Sequence, residues 1–524
     1  MRRMRFYFKP RIFFPIPPPA RIVLPMTRLS LLAILAVFWT GQLAAQTAPA
    51  TAPTSAPALP QIDRQTLDAM YRRELGDLYK PDQADHLYQA HQLIEKYFTA
   101  NSNQDRKTLV IWLEALGLDV NVLGRLTRLH IDWPDLATGV YYVNERVGPD
   151  DVRYFLGVPK DYDRTKSWPL VIKLPGAAAF VSKPMPDADQ VVRMYNAWIN
   201  DEISHHPDAL VLMPLLNIDE GYGPSPIGVN SVMDALQHVT SRVNVDPARV
   251  YMVGHSMSAH AVWNLALQYP TYFAAINPLA GLASGDWQRL RAMNLRNVLA
   301  VAWNDADDPI IKVAKARELI RVLHNFKCDV DYTETKNVGH MPTAAFMDEE
   351  YAKMRARTRE LYPHAVAIRS NRPESIFNRN DWVQVYQMLR PGEDRKYFFR
   401  HGSGYMTVYE STYTIEAVLS GPTKLDVTCE NVESMRFYFN DQMIDFTKPL
   451  TVVVNGKTRF EGIVKPSVTE MLKDQVFLGR GWRYYAGVVD IDFGQLFPAT
   501  SPTTRPMTRP TSPDDGLRPL RNPA

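Results

Sequence analysis

Two cysteines, Cys328 and Cys429, are all that 524 residues contain. They fall in stretches that read as different domains, and nothing supports a disulfide between them. No Cys/His spacing of a structural or catalytic metal site occurs. Charge of one sign is lacking as well: 59 basic side chains stand against 56 acidic ones, a net charge of +3. Nothing in this balance suggests a polyanion partner, and after the first 25 residues no stretch interleaves basic with aromatic residues as a nucleic-acid surface would. No repeat of domain size is present. What remains is an ordinary globular composition, 46% apolar, with length enough for about three domains.

The first 25 residues are basic, aromatic and proline-rich. Met26-Thr27-Arg28 then leads into an apolar run, Leu29 to Trp39, and a small-residue exit, Gln42-Leu43-Ala44-Ala45-Gln46. The run is too short to span a bilayer comfortably. A short positive end, a short apolar core and a small-residue exit describe a secretory signal peptide. Residues 1–46 are thus expected to be a signal region with its natural start at Met26 and cleavage near Ala45; an uncleaved anchor is the alternative. This reading makes the protein secreted or periplasmic, with no stable membrane span after cleavage. Residues 47–60, mostly alanine, threonine and proline, read as a linker. The Arg-Pro, Thr and Ser-Pro runs of 497–524 read as a disordered tail.

Three stretches between them have the patterning of folded domains. Residues 61–136 show helical spacing, from Ile62, Leu67, Met70 and Tyr71 through Trp112, Leu113 and Leu116, with Gly117 as a stop. No motif with a chemical role lies there. Residues 137–361 alternate buried-strand runs (Leu170–Leu174, Leu210–Met213, Val250–Val253, Val298–Ala302) with helical patterns, which predicts a mostly parallel sheet covered by helices on both faces. Residues 362–496 show short strands, including a hairpin at Asn455-Gly456, and read as an all-β domain of sandwich type. The pair His205-His206 sits between Asp- and Pro-containing turns and reads as solvated surface rather than as metal ligands.

Chemistry enters at Tyr251-Met252-Val253-Gly254-His255-Ser256-Met257-Ser258. An apolar strand runs into a glycine, then a serine flanked by small residues, then a helical pattern. That order puts Ser256 on a sharp turn with its hydroxyl above the sheet edge. The last glycine of the usual G-x-S-x-G pattern is here Ser258. A serine hydroxyl needs a base, and the base needs a carboxylate to hold its tautomer. Downstream strands end in two loops of the required kinds: Asp305-Ala306-Asp307-Asp308-Pro309, then Asn337-Val338-Gly339-His340. A solvated turn and a structural histidine are the plainer readings of each loop taken alone. Their order and strand contexts favour Ser256, an aspartate and His340 as a triad.

In these pieces, Arg249 to Met257, Asp308-Pro309-Ile310-Ile311 and Gly339-His340, residues 139–360 resemble the α/β-hydrolases. That family includes secreted carboxylesterases, polyester-depolymerase-like esterases and the catalytic domain of prolyl-oligopeptidase-like peptidases. The resemblance implies an α/β-hydrolase fold flanked by the helical and all-β domains. Its register picks Asp308 as the acid, with Asp307 held in reserve. It implies an oxyanion hole from the backbone N–H groups of Met257 and, by position, Ala177. The family's loop there usually begins His-Gly, and here it is Pro175-Gly176. Tyr222, in a Gly/Pro loop, is a candidate for the pocket mouth. The expected activity is hydrolysis of a carboxylic ester, small or polymer-derived, through an acyl-enzyme and without metal or cofactor. A peptidase for small peptides or amides is the second reading. A non-catalytic binding protein on a hydrolase scaffold is the third.

Overall fold

The structure, a computed structural model, describes residues 62–147, 150–176, 188–215, 226–283, 285–372, 378–398 and 405–494. The expected signal region, linker and tail lie outside these residues. Among the described residues, no helix is long and apolar enough to cross a membrane.

At the centre is an eight-stranded sheet of β1 (Gly139–Val147), β2 (Asp150–Val158), β3 (Trp168–Leu174), β4 (Leu210–Pro214), β5 (Val245–His255), β6 (Ala275–Leu279), β7 (Leu299–Asp305) and β8 (Val330–Thr335). Their spatial order is β1-β2-β4-β3-β5-β6-β7-β8. β2 runs antiparallel to both its neighbours, and the strands from β4 to β8 are mutually parallel. This is the α/β-hydrolase fold. The central strands are apolar throughout because helices cover both faces: every residue of β4 and of β6 is buried. The helix Val313–Asn325 shows the complementary pattern, burying Ala316, Leu319, Ile320 and Leu323 on one stripe. The ends of β5, β7 and β8 therefore lie at one edge of the sheet and carry the three loops singled out above.

Among the described residues, four α-helices precede the sheet: Arg64–Leu75, Ala84–Thr99, Asn103–Ala115 and Val120–Leu126. Their core holds Leu67, Met70, Leu87, Ile94, Leu113 and Leu123, and also Val468, Met471, Leu472 and Tyr484 from far along the chain. The expected C-terminal β region is present, with one helix added to it. Two sheets of four and five strands do share one core, built on Trp382, Met435, Phe437, Ile415 and Val452. But a helix, Val468–Leu478, interrupts the strands. Ser467 caps it by accepting the Glu470 N–H, and its face Val468, Met471, Leu472 and Gln475 is buried. Val468, Met471 and Leu472 pack in the core of the N-terminal helices, whereas Leu478 joins the core of the two sheets, so the local β context did not announce the helix. Asn455 and Gly456 turn the expected hairpin with φ of 50° and 76°, pairing Val454 with Lys457.

Candidate active site

β5 ends at His255, and the next residue turns the chain sharply. Ser256 has φ 61° and ψ −118°, a conformation that costs a side-chain-bearing residue about 1–3 kcal/mol. Three features hold it there. The Ser256 N–H donates to the Leu279 carbonyl of β6 at 2.9 Å. The helix Met257–Gln268 begins immediately. Gly254 lets that helix approach: a Cβ there would lie 2.7 Å from the Ser258 backbone C and O. Ser258, where the usual pattern has glycine, is fully buried. Its Oγ accepts the His255 N–H at 3.0 Å and donates to the His255 carbonyl at 2.9 Å. The side chain is thus part of the turn's own hydrogen bonding, so its Cβ is no obstacle.

The acid and histidine loops meet above this turn. His340 Nε2 lies 2.8 Å from Ser256 Oγ, and His340 Nδ1 lies 2.8 Å from Asp308 Oδ2. A carboxylate can only accept, so Nδ1 carries the proton and Nε2 is the acceptor for the serine hydroxyl. Asp308 Oδ1 accepts the N–H groups of Ile310 at 2.7 Å and Ile311 at 3.0 Å. Burial alone would raise the Asp308 carboxyl. The bonds from His340, Ile311 and Ile310 outweigh it and hold the group below the ordinary aspartate range.

Asp307, the reserve acid, does not face the imidazole. Its Oδ2 accepts the Asn337 N–H at 3.1 Å. Asp305, fully buried, accepts the Thr335 hydroxyl at 2.7 Å and the Val338 N–H at 3.1 Å through Oδ2. Asp305 and Asp307 therefore fasten the histidine loop to the end of β7, and Asp308 alone of the three touches His340. The loop needs such fastening because Asn337 and Gly339 both take positive φ, 61° and 80°.

Of the two expected oxyanion donors, Met257 is the first residue of its helix. Its N–H has no hydrogen-bond partner among the described residues, and it sits next to the serine at a helix N-terminus, where backbone donors point outward. Ala177 and Tyr222 lie outside the described residues. Gly176 is described, and a Cβ on it would come 3.8 Å from the His255 carbonyl, so the early loop starts alongside the serine turn.

The reading of His205-His206 as solvated surface is corrected. His205 ends the helix Ala188–His205 and faces Asp348. His206 is fully buried, with Nε2 3.2 Å from Glu202. Glu202 in turn receives Lys173 Nζ at 2.6 Å, and Lys173 also reaches the Tyr351 hydroxyl at 3.3 Å. Burial opposes the charge on Glu202, but Lys173 and His206 overcome it and hold the carboxyl at about 2. A helical i, i+4 relation between Glu202 and His206 was the signal available in the sequence. Cys328 and Cys429 are free thiols. Among the described residues, the one group with ligand atoms close enough to hold a metal is Glu95, His130 and Asp132, within 4.8 Å of one another. Arg480 donates to both oxygens of that glutamate, so the carboxylate already has its counter-charge.

No family model and no curated protein matches the chain. Solved structures do match it in part. A thermostable esterase is 23% identical over 38% of this chain, with a TM-score of 0.31, and the match spans 55% of that esterase's length. A mutant of the feruloyl esterase module from Clostridium thermocellum, complexed with sinapinate, is 11% identical over 42% of this chain and 87% of its own (TM-score 0.30). A dipeptidyl aminopeptidase IV from Bacteroides ovatus is 11% identical over 42% of this chain and 36% of its own (TM-score 0.35). At TM-scores this low the fold rests on the strand order and the serine turn.

Proposed function

We propose that the protein is a serine hydrolase that cleaves a carboxylic ester through an acyl-enzyme on Ser256. The observation that carries this is the unbroken chain of bonds Asp308–His340–Ser256 at the carboxyl edge of the sheet. Ser256 Oγ attacks the ester carbonyl as its proton passes to His340 Nε2. Asp308, held ionised, stabilises the imidazolium that results. The oxygen of the tetrahedral intermediate takes the Met257 N–H, and the resemblance to the α/β-hydrolases implies Ala177 as the second donor. His340 then gives its proton to the leaving alcohol, and water repeats the sequence in reverse to release the acid.

Ile310, Val338 and Met341 support an uncharged substrate. They are 61, 41 and 55% exposed, and each lies within two residues of Asp308 or His340. Apolar side chains left in water beside a reaction centre favour an apolar acyl or alcohol group. The signal-like segment supports placing the enzyme outside the cytoplasm.

Initial rates on a matched pair, p-nitrophenyl butyrate and butyryl p-nitroanilide, test the reading. The ester should turn over well and the anilide poorly, and Ser256→Ala should lower kcat on the ester by about 10⁴-fold or more. Anilide cleavage equal to ester cleavage would reassign the enzyme as a peptidase or amidase. No turnover of either would leave the fold as a scaffold for binding.

A further inference from the structure

A second set of bonds reaches His340, and it does not pass through Asp308. Its first member is Ser258, whose hydroxyl is bonded to both backbone polar groups of His255. Its second is the His255 side chain. Nε2 of that ring lies 2.7 Å from the backbone carbonyl of His340. A carbonyl only accepts, so Nε2 carries the proton and donates. The two imidazoles also pack together, with centroids 4.9 Å apart and planes at 52°.

This matters because the triad bonds hold His340 by its ring alone. Asp308 grips Nδ1 and Ser256 meets Nε2, but neither fixes the backbone that carries the ring. That backbone follows Gly339, at φ 80°. Asp305 and Asp307 bond Val338 and Asn337, earlier in the loop. The His255 bond is made to His340 itself and comes from the residue next to the nucleophile. It therefore ties the position of the base directly to the position of the serine.

Resting on the esterase reading above, we propose that Ser258 and His255 form a positioning strut, running from the serine turn to the His340 carbonyl, that sets the distance between nucleophile and base. Ser258 in place of glycine is then the strut's foot: its hydroxyl fixes the backbone from which the His255 ring projects. Burial lowers the His255 pKa to about 4, so the ring stays neutral and keeps its single proton for the His340 carbonyl at neutral pH. A positioning error of about 1 Å at a reacting pair costs on the order of 100-fold in rate, so the strut should act on kcat.

The test uses the full chain with p-nitrophenyl butyrate, comparing His255→Leu, His255→Gln, Ser258→Ala and the double variant His255→Leu/Ser258→Ala. Leucine fills the space without a donor, whereas the glutamine amide can offer an N–H near the place of Nε2. His255→Leu should lower kcat about 10- to 100-fold while KM stays within about twofold. His255→Gln should recover most of that loss. Ser258→Ala should lower kcat as well, and the double variant should fall little below His255→Leu, because the two side chains act in series. The strut is overturned if His255→Leu keeps wild-type kcat, if glutamine rescues nothing, or if the two losses simply multiply. Should His255→Leu not fold, Ser258→Ala and His255→Gln still decide: wild-type kcat in Ser258→Ala, or a glutamine variant about 100-fold or more below wild type, sinks the idea. Wild-type protein without ester turnover would instead overturn the esterase reading, and the strut with it.

Discussion

Three aspartates lie within four residues at the end of β7, and each has a different task. Asp308 orients the imidazole, Asp305 binds the turn around Val338, and Asp307 holds Asn337. Asp308→Asn leaves an amide that holds the wrong imidazole tautomer, and kcat should fall by about 10⁴-fold. Asp307→Asn should stay within about tenfold of wild type, since it weakens a single bond to an exposed backbone N–H. Equal losses in the two variants would show that the acid has been misassigned. Asp305→Ala removes the acceptor of the half-buried Thr335 hydroxyl and of the Val338 N–H, at about 1 kcal/mol for each bond lost. It should therefore lower the urea midpoint as well as kcat. That Ser256, His340 and Asp308 come together was legible in the sequence because a strand end announces each of their loops. The parts played by Ser258, His255 and Asp305 were not. Short polar side chains that bond backbone groups two or three residues away leave no periodic signature. Ser258 accordingly read as a departure from the pattern, although its hydroxyl supports the turn.

At the scale of elements, the site depends on how closely β5 and the helix Met257–Gln268 approach. Gly254→Ala would drive a methyl group to 2.7 Å from the Ser258 backbone and 2.9 Å from Val262 Cγ2. Backbone cannot move aside as a flexible side chain can, so this variant should be destabilised by about 3 kcal/mol or more. Expression as soluble protein with an unchanged melting temperature would contradict the packing described. The parallel strands were readable from continuous apolar runs such as Leu210–Met213, since a strand covered on both faces has no polar alternation to hide it. The helix Val468–Leu478 was not readable in the same way. It is short, it stands among strands, and the helices that bury Val468, Met471 and Leu472 lie more than 300 positions earlier. Ser467, Glu470 and the closing Gly479 were its local marks. Ser467→Ala should lower stability by about 1 kcal/mol through loss of the cap, a shift visible in thermal unfolding.

The described residues fall into one unit. The helix Val468–Leu478 completes the core of the N-terminal helices, Arg480 ties Glu95 to the carbonyls of Thr127 and Leu129, and buried Arg359 makes two bonds to Asp381 at 2.8 and 2.7 Å. Several histidines are also buried in this unit. Burial lowers His130 to about 3, His238 to about 4 and His255 to about 4, from an ordinary value of 6.5. Below pH 6.5 the unfolded chain takes up protons that the native state refuses. Stability is therefore full above that pH and declines as pH falls toward the folded values near 4 and 3. The urea midpoint should be lower at pH 5 than at pH 7.5, and His238→Gln should make the drop shallower. An equal or higher midpoint at pH 5 would mean that these rings are not held neutral.

The central claim is that Ser256 is a nucleophile activated by His340. Intact-mass and peptide mapping after incubation with a fluorophosphonate tests it most directly, since the reagent reacts with an activated serine regardless of which ester the enzyme prefers. One adduct per chain is expected, on the peptide containing Ser256, absent from Ser256→Ala and strongly slowed in His340→Ala. No adduct on the wild-type protein, or an adduct that persists in Ser256→Ala, would contradict the account.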